Sequence, residues 1–328
     1  MVIPLLNNMK KNYVFILIFF IVFIFFFQGC FDTKKPRICY VDDGYDETID
    51  GWNVDHFSSI QKAINNADVK STIFVKKGIY HENIIVNSSG HYQLIGENAL
   101  QTIISGDQIN DNVLTFSKEV HVNISGFTIQ NSKKKDSSSY YGAGISIKSG
   151  NNTIYGNIFF NNSCGLYAAY ANENHIYDNK FINNYRGLVL YTGSYYNTLN
   201  NNIFISNRIG CKIKGSKNNT IFSNQFSENV GGAYLCCVSN NNIFYNNYFS
   251  NNSDFNAQDW CLNSWNASGI GNFWDDFYSD EQGAFDMDDN GIIDIPYDIS
   301  RGYQPEDYPN KDYYPLVTMP VIENRFLS

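Results

Sequence analysis

The sequence predicts an all-β fold, a right-handed parallel β-helix with about 22 residues per coil, an N-terminal capping helix and an acidic C-terminal cap. Three observations favour it. A template recurs every 22 or 23 residues, each copy is followed by a Gly and an alternating apolar strand, and the links between copies are rich in Asn and lack helical periodicity. The middle of the chain is therefore predicted to be a solenoid.

The repeat carries an aliphatic anchor and a phenylalanine anchor. The aliphatic anchors are separated by 22, 23, 22 and 22 residues, and the Phe anchors by 22, 23, 22 and 23. Leucine-rich repeats share this period, but they need a Leu-rich strand and a helical return limb, whereas this return is rich in Asn, β-branched and aromatic residues. The parallel β-helix is thus favoured. The aliphatic anchors are Ile154, Ile176, Leu199, Ile221 and Ile243; the Phe anchors are Phe159, Phe181, Phe204, Phe226 and Phe249; and Asn157, Asn179, Asn202, Asn224 and Asn246 are expected to stack between coils.

Residues 1–29 are predicted to be a signal, lipoprotein-like or anchor segment. Lys10 and Lys11 precede fifteen apolar residues, Tyr13–Phe27. A helix of that length rises about 22 Å, less than the roughly 30 Å of a hydrocarbon core, which favours a signal sequence over a permanent span. The stretch "FQGC" is similar to a lipoprotein signal and predicts lipidation at Cys30, with an uncleaved anchor as the alternative. Both predict an exported protein tethered to the outer face of a membrane.

The rest of the chain divides into three parts. Residues 30–56 are predicted to be a linker with the first strand, residues 57–262 the β-helix with its N-terminal helix, and residues 263–328 the C-terminal cap. The helix is indicated by apolar spacing, by a capping box from Ser58 to Gln61 and by Phe57 as a hydrophobic staple. It is expected to cover the open first coil, because a solenoid needs its ends covered.

The charge argues against nucleic acid as a partner. The formal net charge is −9, from 23 basic and 32 acidic residues. Binding a phosphate backbone needs clustered Lys and Arg. Residues 275–312 instead hold 12 of the acidic residues and only two basic ones, so this segment repels itself unless a cation is present.

The segment "DMDDNGIIDIPYDI" within this region predicts a Ca²⁺ site. Its spacing matches the first half of an EF-hand loop, with Gly291 at the turn, but Tyr297 stands where a bidentate Glu is needed and Pro296 disfavours an exit helix. We therefore expect structural Ca²⁺ binding without a sensor role; a metal-free acidic turn is the alternative. The predicted ligands are Asp286, Asp288, Asn290, the carbonyl of Ile292, and Asp294.

Tyrosines on the outward face of the repeat strands predict carbohydrate binding. Tyr167 and Tyr234 fall in one outward column, with Val189 and Lys212 between them, and Tyr191 falls in a second column. Tyr rings on a rigid sheet suit the apolar faces of sugars. Filling of exposed β positions by an abundant residue is the alternative.

Several segments together resemble the NosD-like β-helix proteins of archaeal and bacterial surfaces. They are "ICYVDDG", "FSSIQKAINNA", "IFVKKGIYHENIIV", "LIGEN", the Asn-rich coils, "GNFWDDF", "DNGIIDIPYDI" and "DYYPL", and they span roughly residues 38–317. The resemblance implies a pectin-lyase-like fold. It also implies carbohydrate binding or sugar hydrolysis at the cell surface, or copper delivery.

The residues support these implied activities unequally. The five His and four Met are scattered, which does not favour copper, and the pair Cys236 and Cys237 is assigned a structural or redox role in preference to metal binding. Acids in the regular coils have no acidic counterpart one coil away, so no catalytic residue is assigned there. An acid pair in the irregular coils stays an open alternative, and its candidate members are Asp107, Asp111, Glu119 and the loop 133–136.

Three functions follow from these considerations. The first is an exported, membrane-tethered cell-surface protein that binds polysaccharide or envelope components without catalysis. The second is a polysaccharide lyase or glycoside hydrolase acting on acidic glycans. The third is a structural or adhesion spacer of the cell envelope.

Overall fold

The computed structural model describes residues 37–106, 111–133, 142–300 and 310–321. They form a parallel β-solenoid of about eight turns, with about 23 residues per coil and very little helix. The predicted all-β parallel β-helix is thereby confirmed, while the N-terminal and C-terminal caps stay predictions. Within these ranges, no helix has the length and apolar character needed to span a bilayer. The predicted signal segment and Cys30 lie outside the described residues.

Each coil contributes strands to three parallel sheets. Sheet A has ten strands: Ile38–Val41, His56–Phe57, Thr72–Val75, Gly90–Gly96, Val120–Ser125, Thr153–Tyr155, His175–Tyr177, Thr198–Asn200, Thr220–Phe222 and Ile243–Tyr245. Sheet B has nine: Gly78–Tyr80, Thr102–Ser105, Thr128–Gln130, Ile158–Phe160, Lys180–Ile182, Ile203–Ile205, Gln225–Ser227, Tyr248–Ser250 and Phe273–Trp274. Sheet C has eight: Ile84–Val86, Leu114–Phe116, Ala143–Ile147, Cys164–Ala169, Arg186–Tyr191, Ile209–Lys214, Gly231–Cys236 and Phe255–Asp259.

A stack of aromatic rings runs through the core. Phe159, Phe181, Phe204, Phe226 and Phe249 are fully buried, with neighbouring ring centroids 4.6–4.8 Å apart. The stack ends on Trp274, 4.5 Å from Phe249. Each aromatic pair adds about 0.5–1.5 kcal/mol beyond the area it buries, so this column helps to fix the register of the coils.

Buried asparagines form hydrogen-bonded ladders along the solenoid. Asn202 Oδ1 accepts hydrogen bonds from the backbone N and the Nδ2 of Asn179, both at 3.1 Å, and Asn202 Nδ2 donates to the carbonyl of Ile176 at 2.8 Å. This hydrogen bonding repeats from coil to coil. The backbone N–H of each corner Asn is therefore bonded by the side-chain oxygen of the Asn one coil later. The three ladders are 157, 179, 202, 224, 247 and 272; 162, 184, 207, 229 and 252; and 152, 174, 197, 219, 242 and 263.

The last coil departs from the predicted alignment by one residue. Ile221 pairs with Phe244, not with Ile243, and the ladder passes through Asn247, not Asn246. Asn246 has a left-handed φ of 54°. One extra residue precedes the anchor position in this coil. Phe244 therefore fills the inward position that an aliphatic residue fills in the other coils, and its ring centroid lies 4.4 Å from that of Trp265.

The predicted N-terminal helix is present as α1, Ile60–Asn66, but its cap differs from the expected one. The N-cap is Ser59, one residue after the predicted Ser58. The carboxylate of Glu82 accepts hydrogen bonds from the backbone N atoms of Ile60 and Gln61 at 2.8 and 2.9 Å. A negative charge at a helix N-terminus is favourable. That α1 closes the end of the solenoid stays a prediction.

The strand ladder continues past the predicted boundary at residue 262, because Phe273–Trp274 pairs with Tyr248–Ser250. Beyond it lie a 3₁₀ helix, Asp280–Gln282, and an antiparallel pair, Tyr297–Asp298 with Lys311–Asp312. The buried carboxylate of Asp312 accepts from Asn272 N at 2.6 Å and from Trp274 Nε1 at 3.0 Å. Burial raises the pKa of Asp312 to about 6, although these bonds favour its charged form.

Candidate functional site

The outward columns of sheet C have the register that the sequence predicted. Tyr167 pairs with Val189, Val189 with Lys212, and Lys212 with Tyr234. In the neighbouring column, Tyr191 pairs with Lys214. Since parallel in-register strands lie about 4.8 Å apart, residues in a column form a continuous row, which is buried at Tyr167 and Val189 and partly exposed at Lys212 and Tyr234.

Cations and aromatic rings interleave on this surface. Lys212 Nζ lies 4.8 Å from the ring centroid of Tyr234, and Lys214 Nζ lies 5.4 Å from that of Tyr191. Cation–π contacts of this kind contribute about 0.5–1 kcal/mol at exposed sites and more when desolvated. We call the surface the basic–aromatic face; its members are Tyr185, Arg186, Tyr191, Arg208, Lys212, Lys214 and Tyr234.

Two arginines on adjacent coils meet at one ring. In the sheet C ladder Arg186 pairs with Ile209 and not with Arg208. Both guanidinium groups nevertheless lie over the ring of Tyr185, with Arg186 Cζ at 5.0 Å and Arg208 Cζ at 5.3 Å from its centroid. Long flexible side chains can reach across a corner that residue alternation alone does not describe. The basic–aromatic face is therefore wider than its two columns.

Positive charge is crowded on this face. Burial and then the charge of Arg186 lower the pKa of Lys212, and Lys214 adds to the effect. In the parts of the chain that the structure describes, no carboxylate lies within ion-pair distance of Lys212 or Lys214. The five sheet C strands from Ala143 to Cys236 contain no Asp or Glu. An anion bound here would relieve the repulsion between like charges.

The three predicted carbohydrate-binding tyrosines are not equally accessible. Tyr191 and Tyr234 are partly exposed. Tyr167 is only 8% exposed, and its ring packs 5.6 Å from that of Tyr191 within an apolar cluster that includes Val189. Tyr167 therefore offers little surface to a ligand and instead supports the ring of Tyr191.

A groove at a corner of the solenoid brings together acids that the sequence search had kept apart. Its volume is about 410 Å³. Glu119 precedes one sheet A strand and Glu173 precedes another two coils later, yet both line it. A spacing of 22 or 23 residues does not relate them, because they lie two coils and 54 residues apart and the chain between them carries an insertion. The lining also contains Lys118, His121, Lys148, Ser149, Gly150, Asn151, Tyr170 and Asn172. Asp107 and residues 134–136 lie outside the described residues.

The predicted Ca²⁺ loop gathers its carboxylates. Oxygen atoms of Asp286, Asp288 and Asp294 lie within 4.8 Å of one another. Asp286 accepts hydrogen bonds from the backbone N atoms of Asn290 at 3.1 Å and of Gly291 at 2.8 Å. Asn290 Oδ1 accepts from Ile292 N at 2.8 Å, while its Nδ2 donates to Asp288. The loop thus forms an Asx-type turn with three convergent carboxylates, which suit a hard cation.

Three cysteines line a separate pocket. Cys236 Sγ and Cys237 Sγ are 3.1 Å apart, and Cys261 lines the same pocket, whose volume is about 590 Å³. Sequence reasoning singled out the vicinal pair but not Cys261, which joins it from the next coil. His91 and His121 also stack, with centroids 4.7 Å apart, but His121 Nδ1 is engaged by the carbonyl of Gly150 at 2.7 Å. Among the described residues, only the carboxylates of Asp286, Asp288 and Asp294 form a group of three ligand atoms close enough to hold a metal ion, so these thiols do not assemble the soft-ligand site that copper needs.

Comparison with known proteins gives a family match and remote structural likenesses. The family model described as "Periplasmic copper-binding protein (NosD)" matches residues 64–279. Solved structures with similar coordinates include a pectin methylesterase from carrot, at 12% identity and TM-score 0.37, covering 72% of this chain and 84% of that one. An alginate lyase from Paenibacillus sp. str. FPU-7 is 10% identical with TM-score 0.40, covering 72% of this chain and 97% of that one. The pectin methylesterase from Aspergillus niger is 15% identical with TM-score 0.39, covering 72% and 74%. A search of curated proteins finds no match.

Proposed function

The chain belongs to the NosD family, and we propose that it is an exported surface protein whose solenoid binds acidic polysaccharide without cleaving it. The family description is periplasmic, which supports export. The basic–aromatic face of sheet C is the proposed binding surface. The positive charge of this face supports an acidic ligand, and its aromatic rings support a sugar.

The proposal rests on the positively charged side chains that lie close to Lys212. In a chain of net charge −9, this face presents Lys212 beside Arg186 and Lys214, and burial first, then these like charges, lower the pKa of Lys212. A uronate, sulfate or phosphate group on a glycan would offset that repulsion and accept charge-assisted hydrogen bonds. A neutral glycan would leave the charges uncompensated.

The aromatic rings support a sugar over a small inorganic anion. Tyr191 and Tyr234 stand two coils apart on one rigid sheet, each with the ammonium of a lysine on the intervening strand beside its ring. The rings can pack on the apolar faces of sugar units while the lysines bind acidic groups. Because the coils repeat, a linear polymer can place successive units on successive coils.

Tethering is proposed from the N-terminal sequence. Lipidation at Cys30, or retention of the apolar segment Tyr13–Phe27, would hold the solenoid at the outer face of the membrane. Mass spectrometry of the protein isolated from membranes tests this. A lipid-modified Cys30 at the mature N-terminus supports lipidation, whereas a soluble product cleaved elsewhere contradicts both forms of anchor.

Calorimetric titration of the intact protein with matched oligosaccharides tests the binding function. A uronic-acid oligosaccharide should bind, and a neutral oligosaccharide of equal length should bind at least about 10-fold more weakly. The affinity for the acidic ligand should fall as salt is raised. Equal binding of both sugars, or tighter binding of a single-stranded oligonucleotide of equal charge, would contradict the proposal.

The corner groove supports a second candidate function, cleavage of the polysaccharide. Glu119 and Glu173 line one groove with His121 and Lys148, and paired carboxylates on the two sides of a sugar can act as acid and base. New reducing ends or new ultraviolet absorbance during incubation with uronate polymers would establish this function. Under the binding proposal neither signal develops.

We also propose that the Asp-rich loop binds Ca²⁺ and stabilises the C-terminal region. The three convergent carboxylates of Asp286, Asp288 and Asp294 support it, because they repel one another unless a cation lies between them. The role is structural. The loop is separate in sequence from the basic–aromatic face and would not contact a glycan bound there.

A further inference from the structure

Two adjacent cysteines bring their sulfur atoms together beside the basic–aromatic face. Cys236 is the last residue of the Gly231–Cys236 strand of sheet C, where it pairs with Lys214, and Cys237 follows it. Cys236 Sγ and Cys237 Sγ are 3.1 Å apart, about 1 Å longer than a disulfide bond. We propose that this pair is a redox-active dithiol, which closes a reversible disulfide by exchange with a low-molecular-weight organic disulfide such as oxidised glutathione.

The backbone turn after Cys236 is what places the two sulfur atoms together. Along a strand, neighbouring side chains point to opposite faces of the sheet. Cys237 and Val238 break this alternation, because they have left-handed φ angles of 63° and 65°. Such a conformation is an outlier for a β-branched residue, and strained residues of this kind gather at functional sites. Ser239 holds the turn, since its Oγ donates to the carbonyl of Cys236 at 2.6 Å.

The two thiols differ in their access to solvent, and this assigns their roles. Cys237 is exposed, whereas Cys236 is only 8% exposed. A dissolved disulfide therefore reaches Cys237 first. The charge of Lys212 acts on both cysteines, and a cation beside a thiol stabilises the thiolate, the form that attacks a disulfide. Cys237 is thus the attacking thiol, and Cys236 is the resolving thiol.

The exchange has two steps, in which RSSR stands for the dissolved disulfide. The thiolate of Cys237 attacks one sulfur of RSSR, so that a bond forms at Cys237 Sγ, the S–S bond of RSSR breaks and RS⁻ leaves. Cys236 then gives its proton to solvent and attacks Cys237 Sγ, which forms the Cys236–Cys237 bond and releases the second RS⁻. Both leaving thiolates take up a proton. The two protein thiols are oxidised and RSSR is reduced to two RSH, so no other oxidant is needed.

The first step prepares the second. Burial, and then contacts with Cys237, raise the pKa of Cys236 to about 12, so Cys236 is protonated while Cys237 is free. In the mixed disulfide Cys237 carries no thiolate charge, so that part of the increase in pKa is removed. The charge of Lys212, which lowers the pKa of Cys236, remains. Deprotonation of Cys236 therefore becomes easier once Cys237 has reacted.

The disulfide is expected to be labile and not structural. A disulfide stabilises the folded state more when it closes a longer stretch of chain, and this one joins adjacent residues. Exposed or strained disulfides are also reduced more readily than structural ones. Cys261 lines the same pocket and is the alternative partner for Cys237. Cys236 is favoured because its sulfur already lies 3.1 Å from that of Cys237.

Mass spectrometry of the reduced full-length protein, after anaerobic incubation with oxidised glutathione, tests the inference. The remaining thiols are alkylated before digestion with pepsin. The wild-type peptide that contains Cys236 and Cys237 should have lost two hydrogens and should carry neither an alkyl group nor glutathione. Excess reduced glutathione should restore both thiols. Cys261→Ser is the matched control and should form the same disulfide.

Two further variants separate the steps of the exchange. Cys236→Ser should stop at the mixed disulfide, with glutathione retained on Cys237, and Cys237→Ser should leave Cys236 reduced. Thermal unfolding of each reduced variant shows whether it is folded, and Cys261→Ala replaces Cys261→Ser if the latter melts below the wild type. The inference is overturned if the wild type keeps glutathione on Cys237 or keeps both thiols free. It is also overturned if loss of the Cys261 thiol in a folded variant abolishes the disulfide.

Discussion

Lys212 Nζ lies 4.8 Å from the ring centroid of Tyr234, on the adjacent strand of sheet C. The pair joins the two kinds of group that an acidic sugar needs, a cation and an aromatic face, within one coil spacing. Because the strands are parallel and in register, this relationship depends on the backbone ladder and not on a mobile loop.

The ring of Tyr234 should contribute to binding through its face. We expect Tyr234→Ala to lower the affinity for a uronic-acid oligosaccharide by about 10-fold, because both the packing surface and the cation–π contact are lost. Tyr234→Phe keeps the ring and should bind nearly as well as the wild type. Calorimetry measures both. Tyr155→Ala, on sheet A, is the control; an equal loss in that variant would show that the effect is not specific to sheet C.

The asparagine ladder should be a main source of stability. Asn202→Ala removes the side-chain partner of the Ile176 carbonyl and of the Asn179 backbone N, while Asn179 Nδ2 keeps the carbonyls of Ile154 and Tyr177 as acceptors. Unsatisfied buried groups cost about 1–3 kcal/mol each, so we expect the free energy of unfolding to fall by about 3 kcal/mol or more. Asn200→Ala, at a partly exposed position in the same coil, should change it by less than about 1 kcal/mol. Urea denaturation compares the two variants, and similar losses would contradict a specific role for the ladder.

Asp312 should make the C-terminal region sensitive to pH. Its pKa is raised from 3.8 to about 6 by burial, so the folded state favours the protonated carboxyl. Its stabilising contribution is then fully present below about pH 4 and is lost as the pH rises through about 6. Asp312→Asn cannot titrate. We expect the stability of the wild type relative to this variant to fall by roughly 3 kcal/mol between pH 4 and pH 7. An opposite trend in urea denaturation would contradict the assignment.

Calcium should stabilise the protein through the Asp-rich loop. A ligand at 100 times its dissociation constant stabilises the folded state by about 2.7 kcal/mol, so added Ca²⁺ should raise the melting temperature. Asp286→Asn should abolish that rise, because Asp286 is one of the three convergent carboxylates and also accepts from Asn290 and Gly291. The exposed Asp254→Asn is the control. A calcium-dependent rise that survives in Asp286→Asn would place the ion elsewhere.

The sequence predicted the regular coils because their signal is periodic. The stacking of Phe181 on Phe204 and the alternation along the Arg186–Tyr191 strand both follow from a repeat of constant length. The predicted alignment of the repeats was wrong by one residue at the last coil. There a one-residue insertion precedes the anchor, and the anchor is the aromatic Phe244 instead of an aliphatic residue. Two of the three asparagine ladders also went unassigned, because an Asn at a corner looks the same whether its amide points inward or outward.

The candidate sites were less predictable because they depend on contacts across irregular coils. Glu119 and Glu173 line one groove from coils that are separated by an insertion, and Cys261 lines the pocket of Cys236 and Cys237 from the coil of the last sheet C strand. The meeting of Arg186 and Arg208 at Tyr185 depends on side-chain length, which residue alternation ignores. A coil-by-coil alignment that allows insertions is the signal that could have found the first two.

The charge of the basic–aromatic face tests the central claim most directly. The measurement is the calorimetric affinity of the Lys212→Gln/Lys214→Gln protein for a uronic-acid oligosaccharide, with Lys62→Gln/Lys70→Gln as a control of equal charge change on exposed lysines. Hydrogen bonds to charged groups contribute about 1.5–3 kcal/mol each, so we predict that the first variant binds at least about 10-fold more weakly than the wild type. The control should retain the wild-type affinity. Equal affinity in the wild type and both variants would contradict the proposal that this face binds acidic polysaccharide.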